Sequence, residues 1–375
     1  MKKVILFLIL YMFLFPSMVH AAEPQTEVQE RIINQFQFEE IEDFIENIFP
    51  DSKVGFEEMV KSLVAGDVGG ILGTFGQMLS DQFFHEFRIT KSTMIHVLMI
   101  AIMAAVFHNF SSVFQKGQVS EIGFYVIYML LITICLNSFR VLLTSTVDGL
   151  GGLLEFLKLL GPVYFFAVAI ATGSTTSVAF YNVVLILVCV VETVIQSMLL
   201  PLVQIYMVIR VLNNLSTEEY LSKLGELLQT IIVWSLRTLL GSVIGINLIQ
   251  SLLNPAIDSI KRSVLTRGGE AIPIIGEVIG GAAEVVLGTA VLLKNGIGVA
   301  GAIICVVLCM TPVVQMTVVT LMYKLVAALI QPVSDKRIVE CVSSMADGTA
   351  ILLRVLFTSC VLFLITIAMV AVTTT

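Results

Sequence analysis

Charge is what this sequence has least of. Only 13% of its 375 residues are Asp, Glu, Lys or Arg, and it has one Trp, four His and six Cys. With 57% hydrophobic residues and a mean hydropathy of +0.97, too little polar surface remains to coat a water-soluble domain of this length. Lipid must be the solvent for most of the chain. No cluster of Lys and Arg offers a phosphate-binding surface, which excludes nucleic acid as a partner. The motifs of common chemistry are missing too: no P-loop, no H-E-x-x-H, no G-x-S-x-G elbow. These absences point to a protein that is not an enzyme, binds no cofactor and holds no metal. Cys305 and Cys309 share a helical face, yet no His or carboxylate stands beside them, so packing explains them better than a metal does. No cysteine precedes Cys135, so the N-terminal part has no disulfide framework.

What is present begins with "MKKVILFLILYMFLFPSMVHA". Lys2 and Lys3, an apolar run, Pro16 and small Ala21 have the layout of a secretory signal peptide, residues 1–21, either cut after Ala21 or kept as an uncleaved signal anchor. Residues 22–91 then face the far side of the membrane. Within them Ile32, Phe36, Ile41, Phe44, Ile45 and Ile48 recur at mostly helical spacing against Glu and Gln, an amphipathic pattern stopped by "PDS". A short helix over 56–63 and a weaker one over 71–87 follow. This exported segment either packs on the membrane domain or meets a partner, and the sequence leaves both open.

Residues 92–375 form the polytopic membrane domain. A crossing needs about 20 apolar residues. Candidate spans lie between Lys91 and Lys116, then at 122–145, 155–172, 179–200 continuing to Asn213, 230–252 ended by "NPAID", 272–292, 297–323 and 351–372. The fold class is therefore all-α, with about seven or eight transmembrane or re-entrant segments. Segments 153–172 and 272–292 either cross or re-enter. Counting Lys and Arg places Lys116, Lys261, Arg262, Arg267, Lys336 and Arg337 inside, with Glu218, Glu219, Lys223 and Lys294 outside. "ATGSTTS", "KNGIGVAG" and Pro312 read as interruptions of helices.

One spacing recurs. "VSE" at 119–121, "STE" at 216–218 and "VSD" at 333–335 each precede an Arg, twenty residues beyond the hydroxyl: Arg140, Arg237 and Arg354. A hydroxyl and an acid at a helix start cap orphan N–H groups and suit the dipole. The pattern suggests internal repeats, inverted if every segment crosses once and parallel if 155–172 and 272–292 only dip. Glu192 sits mid-run without a basic neighbour, so it is protonated, paired across helices or exposed to a water path. Glu277 and Glu284, seven apart among glycines, make an acidic stripe. Glu192, Glu277, Glu284, Arg140, Arg237 and Arg354 are the candidate polar path or interface. Three functional classes fit: a conduit or transport subunit, an autonomous carrier with inverted repeats, and a non-conducting scaffold.

Two long stretches carry a specific likeness. "LSTEEYLSKLGELLQTIIVWSLRTLLGSVIGINLIQ" at 215–250 and "LLKNGIGVAGAIICVVLCMTPVVQMTVVTLMYKLVAALIQPVSDKRIVECVSSMADG" at 292–348 resemble the stage III sporulation protein AE family of endospore-forming bacteria. The resemblance implies a multi-pass protein of the mother-cell membrane around the forespore, its N-terminal region facing the intermembrane space. The partners it implies are the other stage III A operon proteins, among them a secretion-type ATPase and ring-forming membrane proteins, and indirectly a forespore membrane protein. It implies a core subunit of a channel or secretion-like complex, compatible with a homo-oligomer, and assigns no catalytic residue.

Overall fold

The computed structural model describes residues 36, 38–48, 55–66, 69–111, 117–172, 175–215, 220–269 and 276–373. The expected signal peptide lies outside them, as do Glu218 and Glu219. Every regular element is helical: α1 (Glu39–Ile48), α2 (Phe56–Ala65), α3 (Gly69–Ser111), α4 (Gly117–Thr172), α5 (Thr175–Val194), a π turn (Ile195–Leu199), α6 (Leu200–Asn213), α7 (Ser222–Gly269), α8 (Gly276–Ile330) and α9 (Lys336–Thr373). Among the described residues five helices are long and apolar enough to cross a membrane. At 1.5 Å per residue the 56 residues of α4 extend about 84 Å, well beyond a hydrocarbon core of about 30 Å.

α8 is the spine. Its Tyr323 phenol donates to Ser138 Oγ at 3.0 Å, Gln315 accepts from Ser145 Oγ at 2.6 Å, and Pro312 lies against Gly149. Gly301 then meets Leu160, and Gly298 meets Tyr164. These rungs descend α8 while climbing α4 in equal strides, so the two helices run antiparallel in one register. α9 runs antiparallel on another face, with Thr320 Oγ1 donating to Thr349 Oγ1 at 3.0 Å and the Cys360 thiol directed at the Cys309 carbonyl. α3 runs parallel to α8, Glu86 meeting Gln315 and Ser334 Oγ donating to the Ala101 carbonyl. α6 lies antiparallel to α9 through Arg210–Asp347 at 3.9 Å and Asn214–Ser344 at 2.8 Å.

Several boundaries differ from the hydropathy reading. Segments 122–145 and 155–172 are halves of one helix, α4, and 272–292 and 297–323 are joined in α8. "KNGIGVAG" stays helical because its glycines are contacts. A Cβ on Gly296 would sit 2.8 Å from Val64, and one on Gly301 would sit 2.5 Å from Leu160. Close helix approach repays the poor intrinsic propensity of glycine. Pro255 does not end its helix, and Pro162 and Pro312 also lie inside theirs. Each forfeits one backbone bond, which a long packed helix tolerates. Lys294, placed in an outside loop by the charge count, is buried inside α8 at 1% exposure. By contrast, the break at "ATGSTTS" falls between Thr172 and Thr175, and 179–213 is one rod.

Because α4 and α8 each absorb two predicted segments, the helix directions change. The turn that Leu221 closes onto Asn213, the turn between α8 and α9, and the start of α4 all lie at one end of the bundle. Arg337 stacks on Phe124 there at 3.7 Å, and the Tyr128 hydroxyl reaches the Val211 carbonyl at 3.2 Å. Lys223 therefore shares an end with Lys336 and Arg337, against the alternation expected from charge. The helices that carry Arg140, Arg237 and Arg354 all start from that end, so they run parallel.

At the opposite end the amphipathic segment docks. Phe44 stacks near Phe156 at 6.0 Å, Phe36 meets Phe166 edge-on at 5.3 Å, and Val60 of α2 lies against Gly296. Ile41, Phe44, Ile45, Phe56 and Val60 thus join the common core. α3 passes through position 91 without a break. Gly301→Ala is expected to destabilise the detergent-solubilised protein by about 1–3 kcal/mol. Gly241→Ala, where the new methyl meets nothing, is expected to be neutral or stabilising by up to about 1 kcal/mol. Thermal unfolding of the two variants side by side checks this, and equal stabilities would contradict the packing.

Candidate functional site

Polar groups in lipid are normally consumed locally, and this chain does so repeatedly. Thr133, Thr146, Thr193 and Thr317 each bond the carbonyl four residues earlier. Groups that escape this rule are the candidates for function.

Glu192 escapes it. It is 2% exposed on α5 and accepts from Gln196 Nε2 at 2.9 Å, a bond within its own helix. It lines a small cavity where α5, α7 and α9 converge, together with Val243, Ser359 and Phe363. Ser359 is 1% exposed, and its Oγ has no hydrogen-bond partner among the described residues. The π turn follows within one turn of Glu192. Sequence reasoning found Glu192 from its isolation in an apolar run. It missed Ser359, one of several hydroxyl residues on its helix, which the packing of α9 on α5 places on the same cavity.

Arg140, Arg237 and Arg354 do not gather there. They are all exposed, on α4, α7 and α9, which is the interfacial placement open to a long guanidinium. Glu277 and Glu284 lie in the first turns of α8, and their side chains are outside the described residues.

A second feature emerges on α4. Asn137, Arg140, Thr144, Asp148, Glu155 and Lys158 are all exposed and recur at helical spacing, making a polar face on a helix whose opposite side is buried against α8. It covers about 32 Å, close to the thickness of a hydrocarbon core. The sequence held the signal, a three- and four-residue spacing of polar side chains across 137–158. The division of α4 into two spans obscured it.

Together these features define a polytopic all-α membrane protein whose polar groups lie in a buried cavity and along one helix face. The chain belongs to the stage III sporulation protein AE family, whose profile matches residues 54–374 and so takes in every long helix described above. It is similar to "Stage III sporulation protein AE" of Bacillus subtilis (strain 168), 23% identical over 328 residues that cover 85% of this chain and 82% of the relative. No solved structure matches.

Replacing Arg140, Arg237 or Arg354 singly by Leu is expected to change unfolding stability by no more than about 0.5 kcal/mol. A buried, paired guanidinium would cost about 3–5 kcal/mol when unpaired or removed. Chemical denaturation in micelles separates the two, and a loss of the larger size would contradict their exposure.

Proposed function

We propose that this protein is a membrane-embedded core subunit of the multiprotein channel or secretion-like complex that links mother cell and forespore during endospore formation. It resides in the mother-cell membrane around the forespore, with residues 22–91 on the intermembrane side and 92–375 as the membrane domain. Its partners are the other stage III A operon proteins, including a secretion-type ATPase and ring-forming membrane proteins, and indirectly a forespore membrane protein. It carries out no catalysis of its own and takes energy from the ATPase.

The single observation behind this reading is the family match, which covers the whole bundle and not one shared helix. The conduit role draws support from the α4 polar face. Charged side chains spread over about 32 Å are unfavourable against hydrocarbon, so this face is best satisfied by water or by another polar surface. Glu277 and Glu284 belong to the same proposal as a second acidic lining on α8.

Chromosomal replacement in an endospore former tests it. A strain carrying Asp148→Leu and Glu155→Leu is expected to assemble the complex, judged by co-purification of its membrane partners, while heat-resistant spores fall at least about tenfold because the polar route is closed. Deletion is expected to abolish spores and the native gene to restore them. Normal spores from the double variant remove the conduit role and leave the scaffold. Normal spores from the deletion strain remove the sporulation function itself.

A further inference from the structure

The Glu192 cavity has the makings of a site that the conduit reading does not use. Three independent elements build it: α5 supplies Glu192, α9 supplies Ser359 and α7 closes the wall with Val243. Both polar side chains are at least 98% buried. The only hydrogen bond described for the carboxyl occupies one oxygen, Oε1, with the Gln196 amide. The Ser359 hydroxyl on the opposite wall is unsatisfied. The space between has room for a single water-sized molecule.

Among the described residues no second titratable side chain lines the cavity. The charged groups closest along α7 and α9, Arg237 and Arg354, lie six and five residues before the lining positions and are exposed. No basic side chain is paired with Glu192 among the described residues. An uncompensated carboxylate at membrane depth costs several kcal/mol, whereas a carboxylic acid is neutral and gains a donor. One cavity water with two or more polar neighbours is also a sensible carrier for that proton. The π turn at Ile195–Leu199, where Leu200 N–H bonds the Ile195 carbonyl, replaces the regular i to i−4 pattern immediately beyond Glu192. Such turns are frequent at functional sites and supply local freedom for a side chain to change partners.

We propose that Glu192, Ser359 and the cavity between them form an intramembrane proton-binding site. One proton adds to the free Oε2 of the carboxylate to give the neutral acid, which donates to a water in the cavity that Ser359 also lines; release reverses the step. The ligand class is the hydrated proton. A metal cation would need several more oxygen ligands than these walls provide. The site stands whether or not this chain lines the pore.

Dicyclohexylcarbodiimide tests the site on the full chain in membranes. It enters apolar sites and reacts with the protonated acid. The O–H proton passes to a carbodiimide nitrogen while the carboxyl oxygen bonds the central carbon, and the adduct rearranges to a stable N-acylurea that mass spectrometry locates. The peptide holding Glu192 is expected to be labelled at about pH 6, with labelling falling about tenfold per pH unit above the midpoint of the titration. Glu192→Gln is expected to remove the label from that peptide. Ser359→Ala, which keeps the fold, is expected to move the midpoint by at least about half a unit through loss of the hydroxyl partner. Labelling absent from about pH 5 to about pH 9, or present but invariant with pH, overturns the proposal. A Ser359→Ala profile identical to that of the native chain overturns the two-residue site.

Discussion

Close approach of α8 to its neighbours is the constraint on which the rest of the structure depends. In lipid there is little hydrophobic gain from bringing two apolar helices together, so association has to come from van der Waals contact and a few interhelical hydrogen bonds. α8 meets that demand with small residues. Gly296 admits α2, and Gly298 and Gly301 admit Tyr164 and Leu160 of α4. Gln315 and Thr320 then fix the register by bonding Ser145 and Thr349. Once that register is set, the direction of α4 and α9 follows, and with it the common end at which the turns lie.

The same packing decides which polar groups become available. More than half of α8 between 288 and 320 is buried, and its packing leaves α4 with one face inward and one outward. The inward face carries Tyr128, Leu142, Leu153 and Leu160, while the outward face carries Arg140, Asp148, Glu155 and Lys158. Across the bundle, α9 carries Ser359 to the side of α5, where it meets the cavity of Glu192. Two very different polar features thus arise from one scaffold: a long exposed face suited to water or a partner, and a small pocket suited to a proton.

Much of this was legible in the residues, for identifiable reasons. Apolar composition fixed the medium, and the amphipathic spacing of Ile41, Phe44 and Ile45 marked the buried side of α1. The helix at 56–63 is α2 with two further residues, and the rod through 179–213 and the break before Thr175 follow from local chemistry. Glu192 stood out because nothing basic was near it. Whole long stretches, not hydropathy, carried the family likeness that the profile match bears out. What failed was the use of local breakers as boundaries in a packed bundle. Pro255 and the glycines of "KNGIGVAG" read as stops by propensity, but tertiary contact outweighs about 1 kcal/mol per glycine. Splitting α4 and α8 then propagated into the sidedness of Lys223. Ser359 and the α4 face depend on which helix lies beside which, information that no single segment contains.

The antiparallel register of α4 on α8 is the claim that everything else inherits, and disulfide trapping in native membranes tests it most directly. Three double variants sample its length on a background without native cysteines: Ser138→Cys with Tyr323→Cys, Ser145→Cys with Gln315→Cys, and Leu160→Cys with Gly301→Cys. The account predicts that mild oxidation closes an intramolecular bond in all three, while Ser138→Cys with Gly301→Cys stays open. Closure at one end only, or a bond in the mismatched pair, would mean that α4 is broken between 145 and 155 and would contradict the continuous helix on which the polar face rests.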